Sequence, residues 1–203
     1  MVRGSKFDPE EFVDAALVLL SEGGPTAVTM AAIARRSGAP TGSIYHRFPG
    51  RSAVVAAAWL RALTAFAAEI ESALLAAPPD RAAIALVAWS RAHPREARAL
   101  FLNEPASLFD TQPPEELSAA IRGQEARIDA AFTVLLDDAT GSGGRRAEAF
   151  ARLRFAIIDG PIALIRPYLQ TGEPIPGFVD ALAESLGRLM MAELQNAPRR
   201  AAE

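Results

Sequence analysis

One 20-residue segment of the chain, Thr29–Phe48, has the composition and spacing of a nucleic-acid-binding unit: TMAAIARRSGAPTGSIYHRF. A short helix, a turn with a glycine and a second short helix are what a helix-turn-helix requires. Gly38 permits the left-handed turn, and the small side chains of Ala31 and Ala34 allow the two helices to approach closely. The segment therefore predicts a helix-turn-helix whose second helix lies in the major groove of DNA.

The second helix of this segment has one apolar side and one side of small polar residues. At about 100° per residue, Ile44 and Phe48 fall on the buried side. The opposite side carries Gly42, Ser43 and His46. Nothing bulky holds such a surface away from the base edges of a major groove. Tyr45 and Arg47 flank it, and from there they can reach phosphates.

Charge is unevenly distributed along the chain, although the net charge is only −3. No carboxylate occurs between Glu22 and Glu69, and this acid-free window contains Arg35, Arg36, Arg47, Arg51 and Arg61. Residues 62–203 carry 19 acidic residues against 14 Lys and Arg. A cationic patch on an anionic body is typical of a DNA-binding protein. The alternative is a chance gap in an alanine-rich helical protein.

Arg51 is expected in the first turn of a long helix, where a positive charge opposes the helix dipole. This position becomes favourable if Arg51 and the helix N-terminus both face a phosphate. The alternative is that the side chain points into solvent at a small energetic cost. The acid-free window favours the phosphate interpretation.

Helix start and stop signals divide the whole chain into helices, and no segment has the alternation of a strand. Asp8 and Pro9 begin the first helix, and Gly23-Gly24-Pro25 ends it. Thr29 caps a second helix. A third runs to about residue 48, and the later ones span about 51–77, 80–93, 94–103, 114–138, 145–169 and 177–195. The predicted fold class is all-α, with a kink at Pro161 because proline has no N–H.

Several function classes are disfavoured by composition. The chain has no cysteine and two histidines, so thiol catalysis, disulfides and a zinc site are not expected. We expect no enzyme activity, no metal and no cofactor. The longest uncharged run has 12 residues, from Gly23 to Ala34, which is too short to cross a membrane. The N-terminus has no signal-peptide pattern, so the expected location is the cytoplasm, without membrane association.

The segment from about Asp8 to Ala58 resembles the TetR family of bacterial one-component regulators. The most specific matches are Thr29-Met30-Ala31-Ala32-Ile33-Ala34, Ser37-Gly38, and the run from Gly42 to Pro49, GSIYHRFP. The resemblance implies about nine helices, three of them in a DNA-binding head, with the fourth as its tether. On this basis residues 1–50 are expected to bind DNA, and residues 51–203 to bind a ligand and dimerise.

The resemblance also implies roles for individual residues. Those facing bases would be Thr41, Gly42, Ser43 and His46, and those holding phosphates would be Thr29, Tyr45, Arg47 and Arg51. The chain departs from the family pattern at Pro40, where a capping residue is usual, so Thr41 is a candidate cap instead. Arg47 stands where the family usually has His or Tyr, and Arg51 where it has Lys. Both departures retain or add positive charge.

Candidate ligand-binding residues in the C-terminal part are Trp89, His93, Phe132, Phe155 and Asp159. Large aromatic side chains around a helix kinked at Pro161 favour an apolar cavity with few polar anchors. The alternative for Trp89 is core packing, and for His93 a partly exposed helix end. Asp159 lies in the apolar run FAIIDGP, where a carboxylate needs a partner, which could be an arginine, a ligand or the dimer seam.

The chain as a whole suggests a homodimeric repressor that binds double-stranded operator DNA. Leu182, Leu186 and Leu189 recur at helical spacing near the C-terminus and favour a dimer through the last two helices. A small hydrophobic or aromatic effector would release the DNA by favouring a dimer whose heads are mis-spaced. The alternative is a DNA-binding regulator controlled by a protein partner or by no ligand.

Overall fold

The computed structural model describes residues 7–76, 80–140 and 146–200, and these residues form helices without any strand. In chain order they are α1 (Pro9–Ala27), α2 (Met30–Ser37), α3 (Thr41–Tyr45), α4 (Arg51–Ala76), α5 (Asp80–Ala92), α6 (Pro94–Phe101), α7 (Pro105–Leu108), α8 (Glu115–Thr140), α9 (Arg146–Arg154), α10 (Gly160–Thr171) and α11 (Phe178–Arg200). A π-helical turn, Phe155–Asp159, joins α9 to α10. The all-α prediction is confirmed.

Helix α1 begins where the sequence predicts, because Asp8 satisfies the free N–H groups of its first turn. The Asp8 carboxylate accepts a hydrogen bond from the backbone N of Glu10 at 3.1 Å, and the Glu11 carboxylate accepts one from the N of Asp8 at 3.3 Å. These reciprocal bonds form a capping box. The predicted stop is only partly correct, since Gly24 (φ +69°) interrupts the helix and a last turn reaches Ala27.

The helix-turn-helix follows directly. Thr29 caps α2 by accepting a hydrogen bond from the backbone N of Ala32 at 3.0 Å, and Gly38 ends the helix at φ +67°. Helix α3 has Pro40 in the N-cap position and no side-chain cap. The prediction that Thr41 caps α3 is therefore wrong: Thr41 is the first residue of the helix. Proline lacks a side-chain acceptor, so the first turn of α3 is uncapped by any side chain.

The kink predicted at Pro161 takes the form of the π-helical turn that precedes it. The N–H of Gly160 donates to the carbonyl of Phe155, five residues earlier, and Pro161 follows without a donor. A π turn widens the helix and so accommodates the missing hydrogen bond. The predicted helix over 145–169 is thus divided into α9, the π turn and α10. The short α7 lies within a stretch predicted as loop, and residues 77 and 145 lie outside the described residues.

The described residues form two compact units. The first contains the chain up to Thr64 together with Pro94–Arg122, and the second contains Ala65–His93 together with the chain from Gly123 onward. Helices α4 and α8 contribute residues to both units. The fully buried side chains of the first unit include Phe12, Leu20, Ile33, Ile44 and Leu108, and those of the second include Ile70, Leu86, Phe132, Leu153, Ile157 and Ile165. The functional division predicted at residue 50 stays a prediction.

Helix α4 is long and apolar enough to cross a membrane by length and composition alone. In the protein, 61% of its most apolar window is buried against other helices. A core helix of a globular protein has the same properties, so this feature is weak support for a membrane span.

Candidate nucleic-acid interface

The surface of α3 has the orientation that the sequence predicts. Ile44 is completely buried and anchors the helix, while Thr41, Gly42 and His46 are exposed and Ser43 is half-buried. A Cβ atom added at Gly42 would meet no atom within 4 Å. The exposed side is therefore low and unobstructed, which is what close approach to base edges requires. Contact of these residues with bases stays a prediction.

Two of the predicted phosphate ligands are exposed near this helix. The Tyr45 side chain is 55% exposed. Thr29 is also exposed, and its hydroxyl oxygen accepts from Ala32 while its proton is available to donate. A hydroxyl donor at a helix N-terminus is a common phosphate contact. Both positions are compatible with the predicted role.

Arg47 has a different orientation from the one predicted. Its side chain is half-buried, and Nη2 donates to the backbone carbonyl of Phe7 at 3.1 Å. This bond ties the residue after α3 to the start of α1, 40 residues earlier in the chain. Arg47 therefore contributes to the packing of the helix-turn-helix. Its predicted phosphate contact is not tested by this orientation alone.

The Arg51 side chain is bonded within the chain and does not point into solvent, which corrects the solvent alternative; its predicted phosphate contact stays a prediction. Its Nε donates to the carbonyl of Val28 at 2.7 Å, Nη2 to that of Pro25 at 2.5 Å, and Nη1 to that of Leu108 at 3.1 Å. The physical reason is that α1 and α7 end nearby, and carbonyl oxygens at helix ends can accept side-chain donors; the carbonyl of Pro25 also accepts from the backbone N of Val28. A planar guanidinium can satisfy several of them at once.

Asp110 completes this arrangement, and the sequence analysis did not identify it. Its carboxylate lies 3.4 Å from Nη1 of Arg51 and accepts a hydrogen bond from the hydroxyl of Ser52 at 2.5 Å. The Ser52 hydroxyl oxygen accepts from the backbone N of Thr111 at 3.2 Å. The Ser52 hydrogen bond, more than the nearby Arg51 charge, holds the pKa of the Asp110 carboxyl below its usual range. We call Arg51, Ser52, Asp110 and Thr111 the Arg51 cluster.

The acid-free window of the sequence is not free of acids in space. Arg61 lies 2.6 Å from the Asp14 carboxylate and 3.5 Å from that of Glu10, and Arg36 lies 3.5 Å from that of Glu22. These carboxylates come from α1, before the window begins. Arg35 is exposed and forms no hydrogen bond or ion pair with the part of the chain that the structure describes. The local cationic surface is therefore smaller than the sequence suggests.

The candidate ligand residues of the second unit do not share one environment. Trp89 is buried, and its ring lies 5.2 Å from those of both Phe66 and His93, measured between centroids. Phe132 is completely buried and meets Phe150 edge to face. His93 is exposed, so the core interpretation of Trp89 and the helix-end interpretation of His93 match these positions. A role in ligand binding stays a prediction for all three.

Phe155 and Asp159 lie on the opposite side of the π-helical turn from the core. Phe155 is 54% exposed and Asp159 is exposed, while Ala156, Ile157 and Ile158 between them are buried. Asp159 is therefore not buried within the chain and needs no partner there, and its predicted role toward a ligand or the dimer seam stays a prediction. Spacing of four residues places both side chains on the outer face of the turn, which the apolar composition of the segment does not reveal.

Exposed apolar side chains concentrate in the π turn and α11: Phe155, Phe178, Leu182 and Leu189. Leu186, at the same helical spacing, is half-buried. Large apolar side chains that remain exposed on one helix commonly mark an interaction surface. We call this set the α11 face.

An open groove of about 440 Å³ lies in the first unit. Its lining comes from the loop before α8 and from the first turns of α8: Phe109, Asp110, Thr111, Gln112, Pro113, Ser118, Ile121 and Arg122. Asp110 and Thr111 thus belong both to the groove and to the Arg51 cluster. The sequence contains no motif between the predicted helices 94–103 and 114–138, so it gives no indication of this groove.

Residues 12–58 match the family model of the bacterial regulatory proteins of the TetR family. This range contains most of α1, all of the helix-turn-helix and the start of α4. The helix-turn-helix described above lies wholly within the matched range, so this part of the chain is similar to the TetR family. The resemblance drawn from GSIYHRFP and the neighbouring motifs is therefore confirmed.

Solved structures of transcriptional regulators share the fold over most of the chain. FadR of Bacillus subtilis, solved in complex with stearoyl-CoA, is 14% identical, with a TM-score of 0.68 over 91% of this chain and 98% of that one. A transcriptional regulator of Rhodococcus is 18% identical, with a TM-score of 0.68 over 92% of this chain and 97% of that one. SmeT, the repressor of a Stenotrophomonas maltophilia multidrug efflux pump, is 19% identical, with a TM-score of 0.56 over 95% and 91%. A search of curated proteins finds no match to this chain.

Proposed function

We propose that this regulator is a homodimeric repressor that binds operator DNA through α3 and dissociates when a small apolar or aromatic molecule binds to it. The observation that carries the proposal is the low surface formed by the exposed Gly42 and His46 and the half-buried Ser43, on a helix anchored by the buried Ile44. Such a surface suits base contacts in a major groove. The exposed hydroxyls of Thr29 and Tyr45 beside it suit contacts to phosphates.

The α11 face supports the dimer. Leu189 is 67% exposed and Phe178 60% exposed, and association with a second copy would remove both from water. A two-fold dimer presents two recognition helices, and operator half-sites lie one DNA turn apart, about 34–36 Å. A dimer of this kind would therefore bind a palindromic site.

An apolar effector is supported by the composition of the second unit and by one relative. Trp89, Phe66 and Phe132 are buried in this unit, and no charged side chain is among its described buried residues. FadR of B. subtilis binds stearoyl-CoA in its crystal structure. The effector must bind better to the dimer that does not fit the operator, and bound operator must weaken effector binding by the same factor.

DNA recognition is tested by selecting fragments of the host genome with the purified wild-type protein and then measuring the affinity of variants for the selected site. His46→Ala should lose selectivity between the selected site and single-base variants, with each base contact contributing about 1–3 kcal/mol. His93→Ala is the matched control, because it removes the other histidine, which lies in the second unit. Unchanged selectivity of His46→Ala would refute the assigned orientation of α3.

Effector control is tested with stearoyl-CoA, a long-chain fatty acid and a simple aromatic acid as probes. An effector should raise the melting temperature of the free protein and lower its affinity for the selected operator. A probe that raises the melting temperature and leaves operator affinity unchanged is bound without being an effector. If no small molecule alters operator affinity, the alternative is favoured, in which a protein partner or no ligand controls the regulator.

A further inference from the structure

The Arg51 side chain joins the two ends of the helix-turn-helix. Val28 immediately precedes the helix-turn-helix, and Arg51 follows it at the first residue of α4. The Nε of Arg51 donates to the carbonyl of Val28 at 2.7 Å, so one hydrogen bond closes the chain segment that contains α2 and α3. A second bond, from Nη2 to the carbonyl of Pro25, fixes the turn before α2. The orientation of α2 and α3 therefore depends on where this guanidinium lies.

The same guanidinium is held from the other side by a distant part of the chain. Its Nη1 donates to the carbonyl of Leu108 and lies 3.4 Å from the carboxylate of Asp110. Asp110 is fixed in turn by the buried Ser52 at 2.5 Å. The loop after α7 is thus bonded to the residues that close the helix-turn-helix. All of these residues lie in the first compact unit.

We propose that Arg51 and Asp110 are positioning residues for operator recognition: they hold the helix-turn-helix in its DNA-binding orientation through the loop after α7. This inference rests on the proposed DNA binding and adds a control point to it. Neither residue needs to touch DNA, because the guanidinium already donates to three carbonyl oxygens. Any event that moves Asp110, which also lines the open groove, would alter operator affinity through Arg51.

Asp110→Asn distinguishes positioning from simple electrostatics, because the two predict opposite signs. Removing a negative charge from a DNA-binding unit should strengthen DNA binding if only long-range electrostatics matter. If Asp110 positions Arg51, affinity for the selected operator should fall about tenfold, as expected for losing a charge-assisted hydrogen bond. Glu104→Gln is the matched control: it removes a charge from the same segment, and the Glu104 carboxylate forms no bond with the described residues.

Arg51→Lys distinguishes positioning from a phosphate contact. A lysine keeps the charge that a phosphate requires, so a phosphate ligand would retain most of its affinity. One ammonium cannot reproduce the planar fork that bonds to three carbonyls, so a positioning residue should lose as much affinity as Asp110→Asn does. Because both residues act in one cluster, the double variant should lose no more than either single variant.

A loss of folded protein must be distinguished from weaker binding by folded protein. For this, the active fraction of each variant is titrated with operator at concentrations well above the dissociation constant. Partial unfolding lowers the active fraction and leaves the dissociation constant of the folded molecules unchanged, and that result would overturn the proposal. If Asp110→Asn does not fold, Ser52→Ala replaces it in this test, because it removes only the hydroxyl that fixes Asp110. Ser52→Ala should also weaken operator binding.

The outcomes separate this inference from the proposed function. If the wild type binds no genomic fragment selectively, both are overturned. If the wild type binds its operator and Asp110→Asn and Arg51→Lys bind it equally well, only the positioning role fails. Weaker binding by both variants, with Glu104→Gln binding the operator as well as the wild type or slightly better, supports it.

Discussion

The guanidinium of Arg61 in α4 lies 2.6 Å from the carboxylate of Asp14 in α1 and forms an ion pair within the first unit. A second carboxylate, that of Glu10, lies 3.5 Å from the same side chain. Arg61 is one of the five arginines in the acid-free window, yet two acids from outside that window neutralise it. Linear charge patterning therefore overestimates the cations that are available to DNA.

Arg35→Ala and Arg61→Ala should differ in how they change the salt dependence of operator binding. Arg35 is exposed and unpaired among the described residues, so it is available to a phosphate. Its removal should lower the slope of log K against log salt by about 0.9, the value for one phosphate contact. Removal of the paired Arg61 should leave the slope unchanged. Fluorescence anisotropy at several salt concentrations measures both, and equal slopes for the two variants would contradict this assignment.

Local signals in the sequence predicted the elements that carry the interface. The capping box of Asp8, the Thr29 cap and the left-handed Gly38 each depend on residues within one helical turn, so the boundaries of α1 and α2 followed from them. The outward direction of Gly42 and His46 followed from helical geometry once Ile44 was placed inside. These features required no knowledge of distant contacts.

Contacts between distant residues were not predictable in the same way. Arg51 and Asp110 are 59 positions apart in the sequence, and nothing near either residue indicates the other. Arg51 also had a plausible local explanation at a helix N-terminus, which concealed its bonds to carbonyl oxygens. Asp159 lies four residues after the exposed Phe155, on the same outer face. Apolar composition alone suggested burial.

Gly160→Ala should destabilise the second unit. A Cβ atom there would lie 2.9 Å from Cδ1 of Leu186 and 3.0 Å from the carbonyl oxygen of Phe155. The carbonyl belongs to the π turn and cannot move aside as a side chain can, so we expect a loss of about 1–3 kcal/mol, typical of overpacking. Urea unfolding measures it.

Gly123→Ala is the matched control for this substitution. Gly123 lies within α8, and an added Cβ there would meet no atom within 4 Å. Alanine is favoured over glycine inside a helix by about 0.5–1 kcal/mol, so this variant should be more stable than the wild type. If both alanines stabilise the protein, the close approach at Gly160 does not constrain it.

The contribution of Asp110 to stability should depend on pH. The Ser52 hydroxyl and the Arg51 charge hold the pKa of the folded carboxyl below its ordinary value of 3.8. Ionised Asp110 therefore stabilises the folded state at any pH above that ordinary value, and the contribution is lost as pH falls through the folded pKa. The urea midpoints of wild type and Asp110→Asn should differ by a constant amount between about pH 5 and pH 7 and should converge below about pH 4.

Comparing the urea midpoints of the wild type and Asp110→Asn isolates the contribution of the Asp110 carboxyl from those of other carboxylates that titrate in the same pH range. Glu71 in the second unit also has a lowered pKa, because it accepts a hydrogen bond from Arg127, but it is present in both proteins. A midpoint difference that persists unchanged to about pH 3 would mean that Asp110 stabilises the fold without its charge.

Leu189→Glu should convert the proposed dimer to a monomer. Leu189 is 67% exposed on α11, more than the other large apolar side chains of the α11 face, so a glutamate there costs little in the isolated chain. In a dimer the same change would bury a charge at the interface without a partner, which is strongly unfavourable. Sedimentation should therefore show a monomer, and operator binding should be lost because one head contacts only one half-site.

Leu75→Glu, at a 56% exposed leucine of α4, is the matched control and should leave both the dimer and operator binding intact. A monomeric wild type at micromolar concentration, or a dimeric Leu189→Glu variant, would show that the α11 face is not the dimer interface.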